Sequence, residues 1–422
     1  MTIRRVPTDF RVDEIATAAF RESIRPAADA RTLHAIYRLE KTSLTTPEAT
    51  ARLAKSLALR AGEVVHAGLK DKHAFTTQHV SAKTRDPAAA DRFAPEITAP
   101  GLRATLLGWS DAPIDASIIE SNHFEIVVRA LTRESSTRMS RHAAALTLPS
   151  GIVPTPLLIP HSPRPPAATS LLVTNYFGEQ RFGSARHAQG LAAAHLVRAE
   201  FEPALRLLIA TPARKDTGAR RAFTRAAATH WGHWSNLLAA TEPCSLRHPI
   251  ERLAAGGTFI DAFAALPMID QRLCVDAYQS WLWNHAASDL VRESFAADPG
   301  ATLDIATDHG PLVFVRADAV PTHLADLIAP LPRKGAPLEG GWSRAIENVL
   351  AREGLALDQL EIPSLRRPRF DQGERPLFVR AMNFTLSAPA PDEFAKGRLA
   401  RTACFDLPSG SYATVVLRAL GQ

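Results

Sequence analysis

The sequence predicts an α+β protein in which a helix-rich segment is inserted into a strand-rich domain. Three observations carry this. Strand-like alternation dominates roughly the first 150 residues, helical spacing takes over from about 187 to 353, and strand-like runs return near the carboxyl end. Six prolines crowd residues 154–166 and mark the first joint. A chain of 422 residues exceeds one simple core, so two domains are the default.

The elements follow in order. Residues 10–15 (FRVDEI) and 33–39 (LHAIYRL) alternate as half-buried strands do. Thr45 then caps a helix that has Pro47 in its first turn and Glu48 beside it. Ala51, Leu53, Ala54 and Leu57 keep helical spacing up to Gly62, the expected stop. Residues 64–67 read as a short strand and 75–83 as the next one. AGLKDKHAFTTQ (67–78) therefore contains a loop between two strands, a common way to present chemistry from a rigid base. Residues 103–108 and 122–129 are strand-like, and 134–146 form a helix. Beyond the proline-crowded segment, helices are expected at about 187–210, 217–240, 271–295 and 346–353. Strands are expected again at 377–382 and 411–418. No internal repeat or heptad pattern is present.

Composition sets the class. The chain is 46% hydrophobic and 22% charged, as soluble globular proteins are. No run reaches the ~18 apolar residues of a membrane helix. The opening MTIRRVPTDF lacks the apolar stretch of a signal peptide, so a cytoplasmic protein is expected. Cys244, Cys274 and Cys404 are far apart and form no CxxC pair, which argues against a disulfide framework or a zinc site. The net charge of +6 mildly favours a polyanionic partner. Only eight of the 49 basic residues are lysines, and two of them, Lys70 and Lys72, flank Asp71.

That aspartate is the first candidate. Gly68 is expected to permit a tight turn before it. Lys70 and Lys72 give it the cationic setting of an ionised carboxylate. With no second carboxylate beside it in the sequence, Asp71 suits a nucleophile or charge stabiliser better than a proton-shuttling dyad. The bland alternative is a charged surface turn. NYFGEQRFG (175–183) sets aromatics beside an arginine, which fits stacked bases and phosphates, or crevice packing. Phe124, in NHF, begins an apolar strand; it is either core or a flat face for an extruded base.

Taken together and in order, GLKDKHAFTTQ, NHF, NYFGEQRFG and LPSGSYATVVLR resemble the motifs of the TruD family of tRNA pseudouridine synthases. The opening RRVPTDFRVDEI is similar to that family's first segment, and AYQSWLWN (277–284) extends the likeness. The resemblance implies an α+β catalytic core with a mixed, mostly antiparallel sheet, built from residues 1–167 and 373–422. Residues 168–372 would be the inserted TRUD domain.

It also implies a reaction, the isomerisation of a uridine in tRNA, at position 13 of the D arm, to its C-glycoside. Asp71 matches the catalytic aspartate. Whether it attacks C1′ or starts a glycal route by taking a sugar proton stays open. Arg4 stands where relatives commonly carry a lysine that pairs with that aspartate. Phe10, Lys70, Asn122 and Phe124 match pocket positions, with Phe124 stacking on the uracil in place of a tyrosine. Asn175, Tyr176, Gly178, Gln180 and Arg181 match the second motif, which shapes the cleft between domains. The implied partner is tRNA, bound by a monomer that needs no membrane, metal or organic cofactor.

Two basic clusters are candidate phosphate grips: Arg214, Lys215, Arg220, Arg221 and Arg225, and Arg366, Arg367 and Arg369. Solvated faces are the alternative. Two rival functions are a non-catalytic RNA-binding protein that keeps the fold, and a hydrolase with Asp71 as nucleophile. The first has no use for Asp71. The second needs a partner acid that the sequence does not offer beside His73 or His79.

Overall fold

The computed structural model describes residues 3–29, 33–84, 90, 92–148, 169–183, 189–213, 216 and 218–422. The proline-crowded segment and the expected joint at 167/168 lie outside the described residues. Two compact units emerge, Met1–Val173 with Val379–Gln422, and Thr174–Phe378.

The first unit is built on one mixed sheet of eleven strands among the described residues. Its early strands are β1 (Phe10–Ala16), β2 (His34–Thr42), β3 (Val64–His66) and β4 (Phe75–Lys83). They are followed by β5 (Glu96–Ala99), β6 (Leu102–Ser110), β7 (Ile119–Leu131) and β8 (Leu171–Thr174). The main path runs β5, β6, β2, β4, β1, β7, Leu399–Leu407, Phe378–Leu386, β8. Strand β3 pairs with β4 at the side.

Most neighbours are antiparallel, but β1 and β4 run parallel, with Arg11 opposite Phe75 and Val12 opposite Thr76. Parallel pairing puts the amino ends of both strands side by side. The segment before β1 and the loop before β4 therefore leave the sheet at one edge. Residues 4 and 71 meet there.

Helix Thr46–Ser56 covers β2 with Ala49, Leu53 and Ala54, which pack with Tyr37, Leu39 and Val80. Its start is as the sequence suggests, a capping box between Thr45 and Glu48. It stops at Ser56, six residues before Gly62. Ala58 takes φ +53, and the N–H groups of Ala58 and Leu59 close on the carbonyls of Lys55 and Ala54. An alanine in the left-handed region ends this helix.

The tail corrects another expectation. Residues 411–418, expected as a strand because of the β-branched pair Val415–Val416, contain the helix Ala413–Ala419 instead. Ala413, Val415, Val416, Leu417 and Ala419 are all buried. The side chains of His142 and Arg138, on helix Arg133–Leu146, reach the carbonyls of Ala419 and Gly421. Burial on this helix overrides local strand preference. The true closing strand is Leu399–Leu407, which pairs with β7 in the middle of the sheet.

The second unit is mostly helical. The expected helices at 187–210 and 217–240 divide into Ala192–Leu196, Phe201–Ile209, Gly218–Thr229 and Trp234–Ala239, with residues 187–188 and 217 outside the described set. Its long helix Met268–Ser294 is buried over most of its circumference and packs against Gly340–Arg352. Among the described residues no helix is long and apolar enough to cross a membrane, and no three His, Cys, Asp or Glu side chains converge as metal ligands.

Candidate active site

Asp71 lies in the eight-residue connection between β3 and β4. One carboxylate oxygen, Oδ2, receives the Arg4 guanidinium. The other, Oδ1, accepts the His73 N–H at 2.9 Å. The Asp71 side chain is 21% exposed, open enough for a reactant and sheltered enough to be held. Arg4 also lies over the Phe10 ring, 4.6 Å from its centroid. Buried Asp9 sets this geometry. Its Oδ2 accepts the N–H groups of Arg5 and Val6 at 2.9 and 3.1 Å, and its Oδ1 is fixed by Arg129 Nε at 2.8 Å. The turn that precedes β1 is thus pinned from inside, which aims Arg4 at the loop.

Lys70 does not face Asp71. Its ammonium turns inward to Glu14 Oε2 at 2.8 Å and to Asn122 Oδ1 at 2.7 Å. Glu14 and Asn122 are directly opposed across β1 and β7. The Glu14 side chain is fully buried, and its Oε1 accepts the His79 N–H at 2.9 Å. Burial raises the Glu14 pKa, but the His79 hydrogen bonds and the Lys70 charge outweigh it, leaving the carboxyl below its usual 4.5. Lys72, by contrast, reaches out to exposed Glu48, 3.6 Å away. Lys41 completes the frame: its ammonium donates to the carbonyls of Leu44 at 2.9 Å, Asp71 at 2.8 Å and Lys70 at 3.4 Å. Burial pushes its pKa down to about 8. Gly68 contributes no left-handed turn; its carbonyl accepts Gln78 Nε2 at 3.2 Å.

Beside this charged frame lies an aromatic floor. Phe124 stacks on Phe405 with centroids 5.7 Å apart, and Phe10 meets Phe124 edge-on at 6.3 Å. Phe124 is 9% exposed. Sequence reasoning misses Asp9, Glu14, Lys41, Arg129 and Phe405, and weighs His79 only as a hydrolase base. For Glu14 there is a signal: alternation from Phe10 places it on the buried side with Val12.

This is a salt-bridged carboxylate, braced by cations that point elsewhere, next to a flat apolar face. The chain matches the family model of tRNA pseudouridine synthase D (TruD) over residues 1–420. It belongs to the TruD family. A protein of Aquifex aeolicus named tRNA pseudouridine synthase D is 27% identical over 424 residues, covering 99% of this chain and 97% of the relative. A Methanocaldococcus jannaschii protein named Probable tRNA pseudouridine synthase D 2 is 25% identical, covering 99% and 91%. A crystal structure of a TruD protein from Methanosarcina mazei shares the fold, with a TM-score of 0.66 at 23% identity over 99% of this chain and 92% of that one.

The second TruD motif lies in the helix-rich unit and is occupied with holding that unit together. Arg375 donates to the carbonyl and side-chain oxygens of Asn175. Tyr176 is buried, and its hydroxyl bonds Val313 and Ser288; burial raises the pKa of that phenol. The Gly178 carbonyl accepts the Arg181 N–H at 2.9 Å. Arg181 reaches Ser280 Oγ at 3.2 Å and Asp276 at 3.3 Å, and Gln180 is exposed. Of the basic clusters, Arg220, Arg221 and Arg225 are exposed on helix Gly218–Thr229, and Arg366, Arg367 and Arg369 are exposed in a loop. Arg214 and Lys215 lie outside the described residues.

Proposed function

We propose that this TruD protein converts a uridine of tRNA, at position 13 in the D arm, to pseudouridine, with Asp71 as the group that attacks the sugar. The observation that carries the reading is the placement of Asp71, gripped by Arg4 and the His73 N–H and partly open to solvent. A carboxylate held by two donors is oriented before a substrate arrives, so no reorganisation is needed at the moment of reaction. Arg4 binds and aims it. Lys41, Lys70 and Glu14 act on the loop rather than on the substrate.

The atoms balance without a cofactor. An Asp71 oxygen bonds to C1′ as the C1′–N1 bond breaks and its electron pair leaves with uracil. The freed base turns on the Phe124 face, and C5 attacks C1′ and displaces Asp71. The C5 proton is then lost and N1 gains one. Phenylalanine has no proton-transfer group, so that step falls to solvent or another residue. In a glycal route Asp71 instead takes the C2′ proton as uracil leaves, and a proton returns to C2′ as C5 rejoins C1′. Either route requires this carboxylate.

Asp71→Asn is the test, on an unmodified tRNA transcript whose pseudouridine is mapped by carbodiimide labelling. RNA binding is expected to persist while conversion disappears. Conversion at the wild-type rate would end the assignment.

A further inference from the structure

The helix-rich unit holds a cavity of about 350 Å³ that the isomerisation does not use. This lies within the ~300–1,000 Å³ range of small-ligand pockets. One wall comes from helix Met268–Ser294, where Tyr278, Trp281 and His285 follow at spacings of three and four and so share a face. The Tyr278 and Trp281 rings are near parallel, at 15° and 6.1 Å between centroids. Trp281 and His285 are closer, 4.0 Å apart and tilted by 43°. The half-buried Trp281 keeps part of its surface accessible to the cavity.

His309 and Gly310 line the same cavity. Gly310 has φ +105, and a Cβ there would sit 2.5 Å from His285 Cε1. Only glycine lets the imidazole stay where it is, with Nε2 3.0 Å from the His309 carbonyl oxygen. Burial lowers the pKa of both histidines below the usual 6.5, so both rings are neutral at pH 7. Neutral rings beside an indole form a stacking surface.

The charged lining includes two carboxylates, Glu353 and Asp308. Glu353 Oε2 accepts the Tyr278 hydroxyl at 3.2 Å and lies 3.9 Å from an Arg198 guanidinium nitrogen, which together fix the carboxylate at the cavity. The chain carries a net charge of +6. In such a chain a carboxylate-lined aromatic pocket is a good place for hydrogen-bond donors. Guanine is the RNA base with two adjacent donors, N1–H and the N2 amino group, on its pairing edge. A carboxylate presents two acceptor oxygens to match them. We infer that this pocket binds a guanine base, stacked on Trp281 and paired through Glu353.

The test is calorimetric titration of the full chain with GMP, IMP, AMP and choline. GMP is expected to bind at one site. IMP, which lacks the N2 amino group, is expected to bind at least about tenfold more weakly. Glu353→Gln should reduce GMP affinity by about tenfold and erase the GMP–IMP difference. Trp281→Ala should weaken GMP binding by about tenfold through diminished stacking. Unchanged melting temperatures show that both variants remain folded.

A second titration, with a tRNA transcript in saturating GMP, separates the sources of the base. If RNA supplies the guanine, GMP competes with the transcript and Glu353→Gln weakens transcript binding. If free nucleotide is the ligand, transcript affinity is unmoved while GMP still binds. GMP binding no tighter than AMP or choline overturns the inference. These readouts are binding constants, so they stand or fall apart from pseudouridine formation.

Discussion

Lys70 turns its ammonium away from its chain neighbour Asp71 and onto the buried carboxylate of Glu14, 2.8 Å from Oε2. The lysine beside Asp71 is thus a strut. Asp71 takes its charge partner from Arg4, 67 residues earlier. The work is divided: one cation serves the Asp71 carboxylate, another the loop that carries it.

Glu14→Gln tests the strut. It leaves the Lys70 ammonium buried without a counter-charge, so a loss of about 3 kcal/mol is expected in denaturant unfolding of the full chain. The pH dependence has a definite sign. The folded Glu14 pKa lies below 4.5, so its contribution is fully present above pH 4.5 and is lost as pH falls through the folded value. Melting temperature followed from pH 7 downward should drop below pH 4.5 in the wild type, and drop less in Glu14→Gln. Parallel curves for the two proteins would remove Glu14 from this role.

Lys41→Met removes a side chain that donates to the carbonyls of Leu44, Lys70 and Asp71. The buried Leu44 carbonyl left unpaired costs about 1–3 kcal/mol and the partly buried pair in the loop loses its brace, so both the melting temperature and the single-turnover rate should fall. Transcript binding should change little, because Lys41 is buried and has no surface for RNA. A rate equal to wild type would show that the loop holds its shape without this ammonium.

Arg4 carries a more direct prediction. Arg4→Met keeps a long apolar stem over Phe10 but removes the charge from Asp71, and the single-turnover rate should fall about 10²-fold. Arg4→Lys keeps the charge and should recover most of the rate. Equal loss in both variants would mean that the two-pronged guanidinium geometry, rather than charge, is what Asp71 needs.

The exposed arginines of helix Gly218–Thr229 are tested through salt. Replacing Arg220 and Arg225 by alanine should weaken transcript binding at low salt. It should also flatten the plot of log affinity against log salt by about 0.7–0.9 for each phosphate no longer neutralised. An unchanged slope would return this face to solvent.

Much of the first unit is legible in the sequence because its signals are local. Residues 75–83 form a strand as their composition suggests, and Thr45 with Glu48 announces the helix start. Asp71 is placed in a loop between strands for the same reason. Partnership is what local pattern does not carry. Lys41 follows a strand-like run and looks like any exposed lysine, yet it is 1% exposed and holds three carbonyls. Arg4 is tied to Asp71 by sequence only through the family resemblance, because the parallel β1–β4 pairing that joins them leaves no local mark. The strand Leu399–Leu407 escapes a sequence reading because its alternation is interrupted, and the final helix because two valines outweigh a burial pattern set by distant residues.

The stacking of Phe405 beneath Phe124 has a consequence for how the molecule is made. The aromatic floor is completed by a residue 281 positions after Phe124, on a strand lodged between β7 and Phe378–Leu386. While the ribosome is still adding the helix-rich unit, the emerging first 173 residues hold Asp71 and Arg4 but lack this backing. The floor is therefore complete only once strand Leu399–Leu407 docks, and a polypeptide released before that would carry Asp71 without it.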